Sequence, residues 1–211
     1  MITALKPTAP ATLMTPASPV LGGDSQQRLV SGHGRKYKTI LADPPWEQTN
    51  TTKWAIRPNR AERLPYPTMT VDEICALPIG DLADGGSHLW LWTTNEYLES
   101  GFRVMRAWGF KYLVPVTWVK PSGLGAWWIH RTQTMLFGYR SPLKMVKRYK
   151  PTVLLANAGR HSAKPKESYE LIEAVSSPAR IEIFARPWTP MFPKRNGWDV
   201  WGNEMQSDIT L

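Results

Sequence analysis

Apolar residues follow two different spacings along the chain, and their alternation predicts the order of the secondary structure elements. Short apolar or alternating runs, which are typical of strands, occupy residues 37–42, 87–94, 112–120, 134–140, 152–156, 180–186 and 197–204. Apolar residues at helical spacing predict helices over residues 71–77, 95–108 and 164–175. Strands interleaved with helices in this way indicate an α/β fold, in which helices flank a central, mostly parallel sheet.

Residues at the boundaries support several of these elements. Thr70 followed by Glu73 three residues later predicts a capping box at the start of the first helix. Gly109 is suited to end the second helix, and Pro165 is suited to the first turn of the third. Pro115 interrupts the third strand, which predicts an edge position or a bulge there.

Two segments stand outside this pattern. Residues 1–34 are rich in Pro, Ala, Thr and Ser and have no sustained period, which predicts a flexible tail. We expect one folded domain over residues 35–211. Residues 47–64 form a polar and basic segment, and a connection of this length predicts a functional or mobile loop.

The charge balance favours an anionic partner. The chain carries 26 Lys plus Arg against 17 Asp plus Glu, a net charge of +9. Nucleic acid is the commonest partner of such a protein, although a basic protein without an anionic partner is the alternative. The chain also has 11 tryptophans, and such rings serve both as core and as base-stacking surfaces.

Several classes of protein are excluded by what the chain lacks. The single cysteine, Cys75, excludes an internal disulfide and a cysteine-based zinc site. The N-terminus has no continuous apolar run of the secretory kind, and no stretch approaches the roughly 18 apolar residues of a membrane span. We therefore expect a cytoplasmic protein that uses neither a membrane nor a metal.

The strongest chemical signal is the motif Asp43-Pro44-Pro45-Trp46, which directly follows the first strand. In an open α/β sheet, ligands bind at the carboxyl ends of the strands. The prolines fix the backbone and lack N–H groups, so the Asp43 carboxylate and the Pro44 carbonyl can form a rigid pair of acceptors. Trp46 can supply a flat wall beside them. Such a site suits the exocyclic amine of a planar base, and the alternative is a purely structural strand end.

The motif resembles the D/N/S-P-P-Y/F/W signature of amino-methyltransferases that use S-adenosyl-L-methionine. Over about residues 37–204, the chain resembles the MT-A70 group of adenine-N6 methyltransferases. The resemblance is carried, in chain order, by "ILADPPW", "LPYPTMTVDEI", "LWLWTT", "WGFKYLVPVTWVK", "HSAKPKESYELIE", "RIEIFARP" and "GWDVWGNE". It implies a Rossmann-like methyltransferase fold with a permuted motif order, in which the catalytic motif precedes the cofactor strand.

The resemblance also implies roles for individual residues. Asp43, Pro44, Pro45 and Trp46 would be catalytic, with Asp43 also near the methionine moiety of S-adenosyl-L-methionine. The other cofactor contacts would be Lys164 at the methionine carboxylate, Phe184 and Arg186 after the cofactor strand, and Asn203 and Glu204 at the ribose hydroxyls.

Each of these further roles has a structural alternative. Lys164 could be a solvated lysine at the start of a helix. Glu182 and Arg186 alternate along a strand and could form a surface pair. His88 opens a buried strand, and we expect it to be structural rather than catalytic.

The activity that the resemblance implies is in-line transfer of a methyl group to the N6 amine of adenine. In a duplex the base must first be flipped out of the stack, with a ring such as Trp46 replacing its neighbour. The basic residues that we expect to contact phosphates are Lys53, Arg57, Arg60, Arg63, Lys144, Lys147, Arg148, Lys194 and Arg195.

DNA is the expected polymer, because the chain resembles a compact catalytic domain of a bacterial or phage member without an appended RNA-binding module. Gln133 replaces an acid of the family, and the basic segment 47–64 is longer, so the type of substrate stays open. RNA, the N4 amine of cytosine and a binding scaffold without activity are alternatives. A homodimer or a partner subunit also stays open.

Overall fold

The computed structural model of the protein describes residues 34–47, 67–125, 127–159, 163–187 and 194–211. The strands in these ranges are β1 Tyr37–Ala42, β2 Ala83–Thr93, β3 Lys111–Leu124, β4 His130–Tyr139, β5 Val153–Leu155, β6 Arg180–Ile183 and β7 Trp198–Trp201. The helices are α1 Val71–Ala76, α2 Ile79–Leu82, α3 Leu98–Ala107 and α4 Lys166–Val175. Residues 1–33 and 48–66 lie outside the described ranges, so the tail and the basic loop stay predictions.

The seven strands form one sheet in the order β5-β3-β4-β2-β1-β6-β7. All neighbouring pairs are parallel except the two that involve β4, which runs antiparallel to both β2 and β3. Six strands therefore point the same way, and their carboxyl ends meet at one edge, here called the carboxyl edge. This arrangement confirms the predicted α/β fold with a mostly parallel sheet, consistent with a Rossmann-like methyltransferase.

Two hydrophobic cores lie on opposite faces of the sheet, because successive side chains of a strand point to opposite sides. On β1, Ile40 and Ala42 pack into the core that also holds buried residues of α1, α2 and α3. Leu41 packs into the other core, which holds buried residues of α4. With both faces covered, residues 40–42 of β1 are a continuous apolar run, as expected for an interior parallel strand.

The local boundary signals are confirmed. Thr70 caps α1, and the Thr70–Glu73 capping box is formed in both directions. Pro115 lies in a part of β3 that has no partner from β5, whose pairing begins at Thr117. The register against β4 also shifts just before it. The missing N–H of Pro115 therefore costs no ladder hydrogen bond on that side.

Several elements differ from the sequence prediction. β2 begins at Ala83 instead of residue 87, and β6 ends at Ile183 instead of residue 186. α3, which is the second predicted helix, starts at Leu98 instead of residue 95. Thr94 and Tyr97 close a turn before it, in which Tyr97 N donates to the Thr94 carbonyl at 3.2 Å. β3 and β4 extend beyond the predicted strands as a long hairpin, and the added strand residues are largely exposed, so they lack a buried-strand pattern. α2 has four residues, too few for a helical period.

His88 has the expected structural environment. It is buried, and its Nδ1 lies 2.7 Å from Ser176 Oγ at the end of α4. Trp90 Nε1 donates to the same hydroxyl at 3.0 Å. Burial lowers the pKa of His88 to about 4, so the imidazole is neutral at physiological pH and ties β2 to α4.

Replacing Thr70 by alanine should lower the free energy of unfolding by about 1 kcal/mol, because the side chain that accepts from Glu73 N is lost. Urea unfolding followed by circular dichroism measures this difference. Thr70→Ser keeps the hydroxyl and should stay close to wild type. Equal losses for both variants would show that the methyl group of Thr70, and not the cap, is what stabilises α1.

Candidate active site

The carboxylate of Asp43 lies directly beyond β1 at the carboxyl edge. Its backbone N–H is 3.5 Å from the Ile183 carbonyl and extends the β1–β6 ladder by one step. Its Oδ2 is 2.5 Å from the Nζ of Lys164, which precedes α4. The two side chains are only 23% and 10% exposed, so water screens this ion pair weakly.

The environment of the ion pair is aromatic on one side. Lys164 Nζ also lies 5.4 Å from the centroid of the Trp92 ring on β2, a cation–π distance. Asp43 Oδ1 has no hydrogen-bond partner among the described residues. The sequence predicts separate roles for Asp43 and Lys164, whereas the structure joins them in one contact and leaves one carboxylate oxygen for a donor.

The carbonyl groups of both prolines already accept a backbone hydrogen bond, although the sequence predicts the Pro44 carbonyl as an acceptor for a ligand. The Pro44 carbonyl accepts from Trp46 N–H at 2.9 Å, because the chain turns back at Pro45. The Pro45 carbonyl accepts from Met69 N–H at 2.9 Å, because the segment before α1 runs alongside the motif. A carbonyl oxygen has two lone pairs, so Pro44 can still accept one more hydrogen bond.

Trp46 is largely packed instead of offering an open face. Its ring is 7% exposed, and its Nε1 donates to the Trp92 carbonyl at 3.2 Å. Tyr97 stacks on it with ring centroids 5.2 Å apart and planes 16° apart. Tyr97 is therefore the partly exposed ring beside the motif, and sequence reasoning missed it because it was assigned to the helix after β2.

The residues after β6 and β7 meet at the same edge. Ala185 N donates to the Trp201 carbonyl at 2.9 Å. A Cβ at Gly202 would come within 2.2 Å of the Ala185 carbonyl oxygen, so only glycine allows this approach. Phe184 has a φ of 64°, an uncommon conformation for a bulky residue, and its ring packs edge-on against Trp201 at 5.6 Å.

The structure brings most of the predicted cofactor residues together. Arg186 Nε lies 3.6 Å from Glu204 Oε1, and Asn203 is the exposed neighbour of Glu204. β1, β6 and β7 are adjacent strands, so their ends span about 10 Å at the usual spacing of about 4.8 Å per strand. Asp43, Lys164 and this group therefore line one continuous strip of the carboxyl edge.

The chemistry of this strip fits S-adenosyl-L-methionine. The cofactor has a carboxylate, an ammonium, a sulfonium and ribose hydroxyls. Lys164 is a suitable partner for the carboxylate. Carboxylates and aromatic rings suit the cationic groups, and these are supplied by Asp43 and Phe184. Asn203 and Glu204 have side-chain oxygens that can accept from hydroxyls.

Glu182 is a site residue that sequence reasoning missed. It lies on β6 and accepts a hydrogen bond from Tyr169 Oη on α4 at 2.8 Å. Burial is the largest cause that raises its pKa to about 7, and the nearby Asp43 adds to this while Tyr169 and Lys164 oppose it. The sequence signal was an acid between Ile181 and Ile183, which the interpretation of Glu182 and Arg186 as a surface pair did not use.

The cations Lys144, Lys147 and Arg148 are exposed, but their segment starts at the edge opposite to Asp43. β4 is reversed, so the chain leaves it at that opposite edge. Val146 N donates to the Val175 carbonyl at the far end of α4 from Lys164. A phosphate contact at these residues would thus lie away from Asp43. Lys53, Arg57, Arg60 and Arg63 lie outside the described residues.

Two further cations form ion pairs within the fold. Lys194 Nζ lies 2.8 Å from Asp208 Oδ1. Arg195 binds both carboxylate oxygens of Glu173, at 2.6 Å and 2.9 Å. The sequence predicts phosphate contacts for both, but the acids that neutralise them are distant in the chain and are brought near by folding.

Within the described ranges, no group of three or more His, Cys, Asp or Glu residues could hold a metal ion. None of the helices described there has the length and apolar character needed to cross a membrane.

The family model for MT-A70 matches residues 37–204, which is most of the chain. The chain therefore belongs to the MT-A70 family, which confirms the resemblance carried by the motif blocks. The family match begins at the first residue of β1 and ends at Glu204, so it includes every predicted site residue.

Several proteins are similar to the chain over about four-fifths of its length. Human N(6)-adenosine-methyltransferase catalytic subunit METTL3 is 30% identical over 181 residues, which cover 81% of this chain and 28% of METTL3. The putative N(6)-adenosine-methyltransferase MT-A70-like of Medicago truncatula is 29% identical over 180 residues, 81% of this chain and 26% of that protein. Type II methyltransferase M.MunI of Mycoplasma sp is 27% identical over 192 residues, 81% of this chain and 78% of that protein. The chain thus spans about a quarter of the first two relatives.

The titration of Glu182 should make stability depend on pH. Its folded pKa of about 7 lies above the ordinary value of 4.5, so the folded state holds the proton more tightly than the unfolded state. This contribution is complete below pH 4.5 and is lost as the pH rises through 7. Glu182→Gln, which still accepts from Tyr169, should therefore be more stable than wild type at pH 8, by at most about 3 kcal/mol.

Urea unfolding of both proteins at pH 5 and pH 8 measures this effect. The difference between them should be much larger at pH 8, and other titrating groups cancel because the two chains share them. The same difference at both pH values would mean that Glu182 does not titrate as described.

Proposed function

We propose that the protein is an S-adenosyl-L-methionine-dependent methyltransferase that acts on the N6 amine of adenine in nucleic acid. The observation that carries the proposal is the contact at the carboxyl edge between Lys164 and Asp43, the first residue of the Asp-Pro-Pro-Trp motif. The chain that holds this contact matches the family over residues 37–204. Membership of the family supports the transfer of a methyl group, and the arrangement of acceptors supports an amine as its target.

The cofactor would lie along the strip from β1 to β7. In the proposed complex, Lys164 binds the carboxylate of the cofactor, and Phe184 and Arg186 contact the cofactor beyond the end of β6. Asn203 and Glu204 accept hydrogen bonds from its ribose hydroxyls. When bound, S-adenosyl-L-methionine supplies an electrophilic methyl group on its sulfonium.

The chain would contribute orientation and hydrogen bonding rather than a nucleophile. Asp43 Oδ1 and the remaining lone pair of the Pro44 carbonyl would accept the two N–H bonds of the amine. These bonds favour a pyramidal nitrogen whose lone pair points at the methyl carbon. The amine nitrogen would take the methyl group as the carbon–sulfur bond broke, and one N–H proton would then leave to solvent or through Asp43.

DNA is the first polymer to test. The chain spans 78% of Type II methyltransferase M.MunI but only about a quarter of the two adenosine-methyltransferase relatives compared above, which favours the substrate of the former as the first to test. RNA is the second candidate, because the other relatives are named for adenosine, the ribonucleoside. One relative is named a catalytic subunit, which supports a test with a partner subunit if the chain alone is inactive.

Replacing Asp43 by asparagine should lower methyl transfer by about a hundredfold or more, because an acceptor aimed at the amine becomes in part a donor. Labelled methyl transfer is measured on duplex DNA, single-stranded DNA and RNA in parallel, with nucleoside analysis of the product. Asp84→Asn is a matched control, since Asp84 is a half-exposed carboxylate near the start of β2, paired with Lys38 at the opposite edge.

The outcomes of this experiment separate the alternatives. N6-methyladenine on one polymer, lost in Asp43→Asn but kept in Asp84→Asn, supports the proposal and identifies the polymer. Methylated cytosine would correct the target base. A protein that binds the cofactor but methylates nothing needs a partner or a sequence context, and one that binds no cofactor is a scaffold.

Lys164→Met should weaken binding of S-adenosyl-L-methionine by about 10- to 100-fold, since a charge-assisted hydrogen bond to the carboxylate is removed while the length of the side chain is kept. Isothermal titration calorimetry measures the dissociation constant. The matched control is Lys166→Met, an exposed lysine two residues further on. Equal affinities for the two variants would contradict the role given to Lys164.

A further inference from the structure

Two neighbouring tryptophans at the tip of the β3–β4 hairpin are exposed. Trp127 and Trp128 are 87% and 78% accessible, and Ile129 beside them is also exposed. The other tryptophans in the described ranges are buried or partly buried: Trp46, Trp90, Trp92, Trp108, Trp118, Trp198 and Trp201. Indole rings bury large apolar areas when they can, so an adjacent exposed pair indicates an interaction site.

The backbone of the hairpin is built to present these rings. A Cβ at Gly123 would come within 2.2 Å of the His130 carbonyl oxygen, and one at Gly125 within 1.7 Å of the Trp128 carbonyl oxygen. Only glycine permits so close an approach of the two strands. A ribbon this narrow has no interior of its own, so side chains at its tip face outwards.

The tip of the hairpin lies beyond the carboxyl edge of the sheet, as Asp43 does. β3 ends and β4 begins at the carboxyl edge, because β4 is the reversed strand. His130 Nδ1 at the start of β4 lies 3.1 Å from Asn95 Nδ2, just after β2. Tyr97 follows two residues later and stacks on Trp46. A line of contacts therefore connects the hairpin to the Asp-Pro-Pro-Trp motif.

This part of the chain carries no acid. Between Glu99 and Glu167 the sequence has no Asp or Glu, and β3, β4 and β5 all lie in this interval. At the hairpin, Arg131 Nε donates to the Lys120 carbonyl at 3.0 Å, and Lys120 Nζ lies over the Trp118 ring. The partner of the exposed rings must therefore tolerate or prefer positive charge.

A cavity of about 380 Å³ lies between the base of the hairpin and the start of α4. Lys120 and Arg131 line it from the hairpin, Asn157 lines it from the segment after β5, and Glu167 lines it from α4. Lys120 lies over the Trp118 ring, which packs edge-on against Trp92, and Lys164 lies over the Trp92 ring. These contacts connect the cavity to the Asp43–Lys164 pair. Its volume lies within the usual range of ligand pockets.

We propose that Trp127 and Trp128 form a stacking platform for unpaired bases that flank the target adenine on the same strand. The strand would pass from the platform over the cavity, with Lys120 and Arg131 at its phosphates, to Asp43. This inference rests on the proposed function, which makes nucleic acid the substrate. Flat rings flanked by cations match the two surfaces of a single strand, its base faces and its phosphates.

Two paired variants of the full chain test the platform. In Trp127→Leu/Trp128→Leu, apolar side chains remain but the ring faces are lost, whereas Trp127→Phe/Trp128→Phe keeps smaller rings. Fluorescence anisotropy measures binding to a labelled single-stranded 12-mer with one central adenine. The affinity of the leucine pair for the 12-mer should be lower than that of wild type by about tenfold or more, and the affinity of the phenylalanine pair should fall much less.

A second measurement locates the contact. An abasic site next to the adenine removes one flanking base. It should weaken binding of the oligonucleotide by wild type and have little further effect on binding by the leucine pair. 2-Aminopurine at the same position should be quenched by wild type and not by the leucine pair. Affinity for S-adenosyl-L-methionine should be equal in all variants, which confirms that the fold is retained.

Failure of the inference and failure of the proposed function give different results. If the leucine pair binds the oligonucleotide as wild type does, the platform is wrong even where methyl transfer is observed. If the chain alone methylates no polymer but the abasic and leucine effects coincide, the platform stands although the proposed activity is not observed. If the leucine pair changes only the sedimentation of the protein or its binding to anionic vesicles, the rings serve a second copy or a membrane, and the inference is overturned.

Discussion

The parallel pairing of β1 on both of its sides is the constraint on which the site depends. β1 is bonded to β2 and β6 with buried side chains on both faces, so its register and direction are fixed by two neighbours at once. The chain must leave this strand at the carboxyl edge, where Asp43 follows. The ends of β6 and β7 arrive at the same edge because they run in the same direction.

The site gathers opposing charges in a partly buried place, and each group alters the others. Lys164 contacts Asp43, while Glu182 lies one strand away and is held by Tyr169. Burial is the main cause that raises the pKa of Glu182 to about 7, and the Asp43 carboxylate adds to this while Tyr169 and Lys164 oppose it. Asp43 and Lys164 stabilise each other, because a buried charge without a partner is costly. The same interactions hold Asp43 in a defined orientation for a donor.

The reversal of β4 gives the carboxyl edge a second feature. A parallel neighbour would have returned through a crossover, whereas an antiparallel one is joined to β3 by a hairpin that extends beyond the sheet. The hairpin tip with Trp127 and Trp128 therefore lies on the side of Asp43. The cations of residues 144–148 come after β4 and start at the opposite edge. Strand direction thus decides which basic and aromatic segments are near the site.

Short-range patterns in the sequence by themselves determined the bounds of β1, the capping box at Thr70 and the position of the Asp-Pro-Pro-Trp motif at a strand end, because each depends on residues a few positions apart. Only the tertiary structure decided that Lys164 contacts Asp43, 121 positions away, and that Tyr97 covers Trp46. It also decided that Glu182 is buried among charges and that Arg195 is neutralised by Glu173. These features arise from contacts between distant segments, which neither periodicity nor local composition encodes.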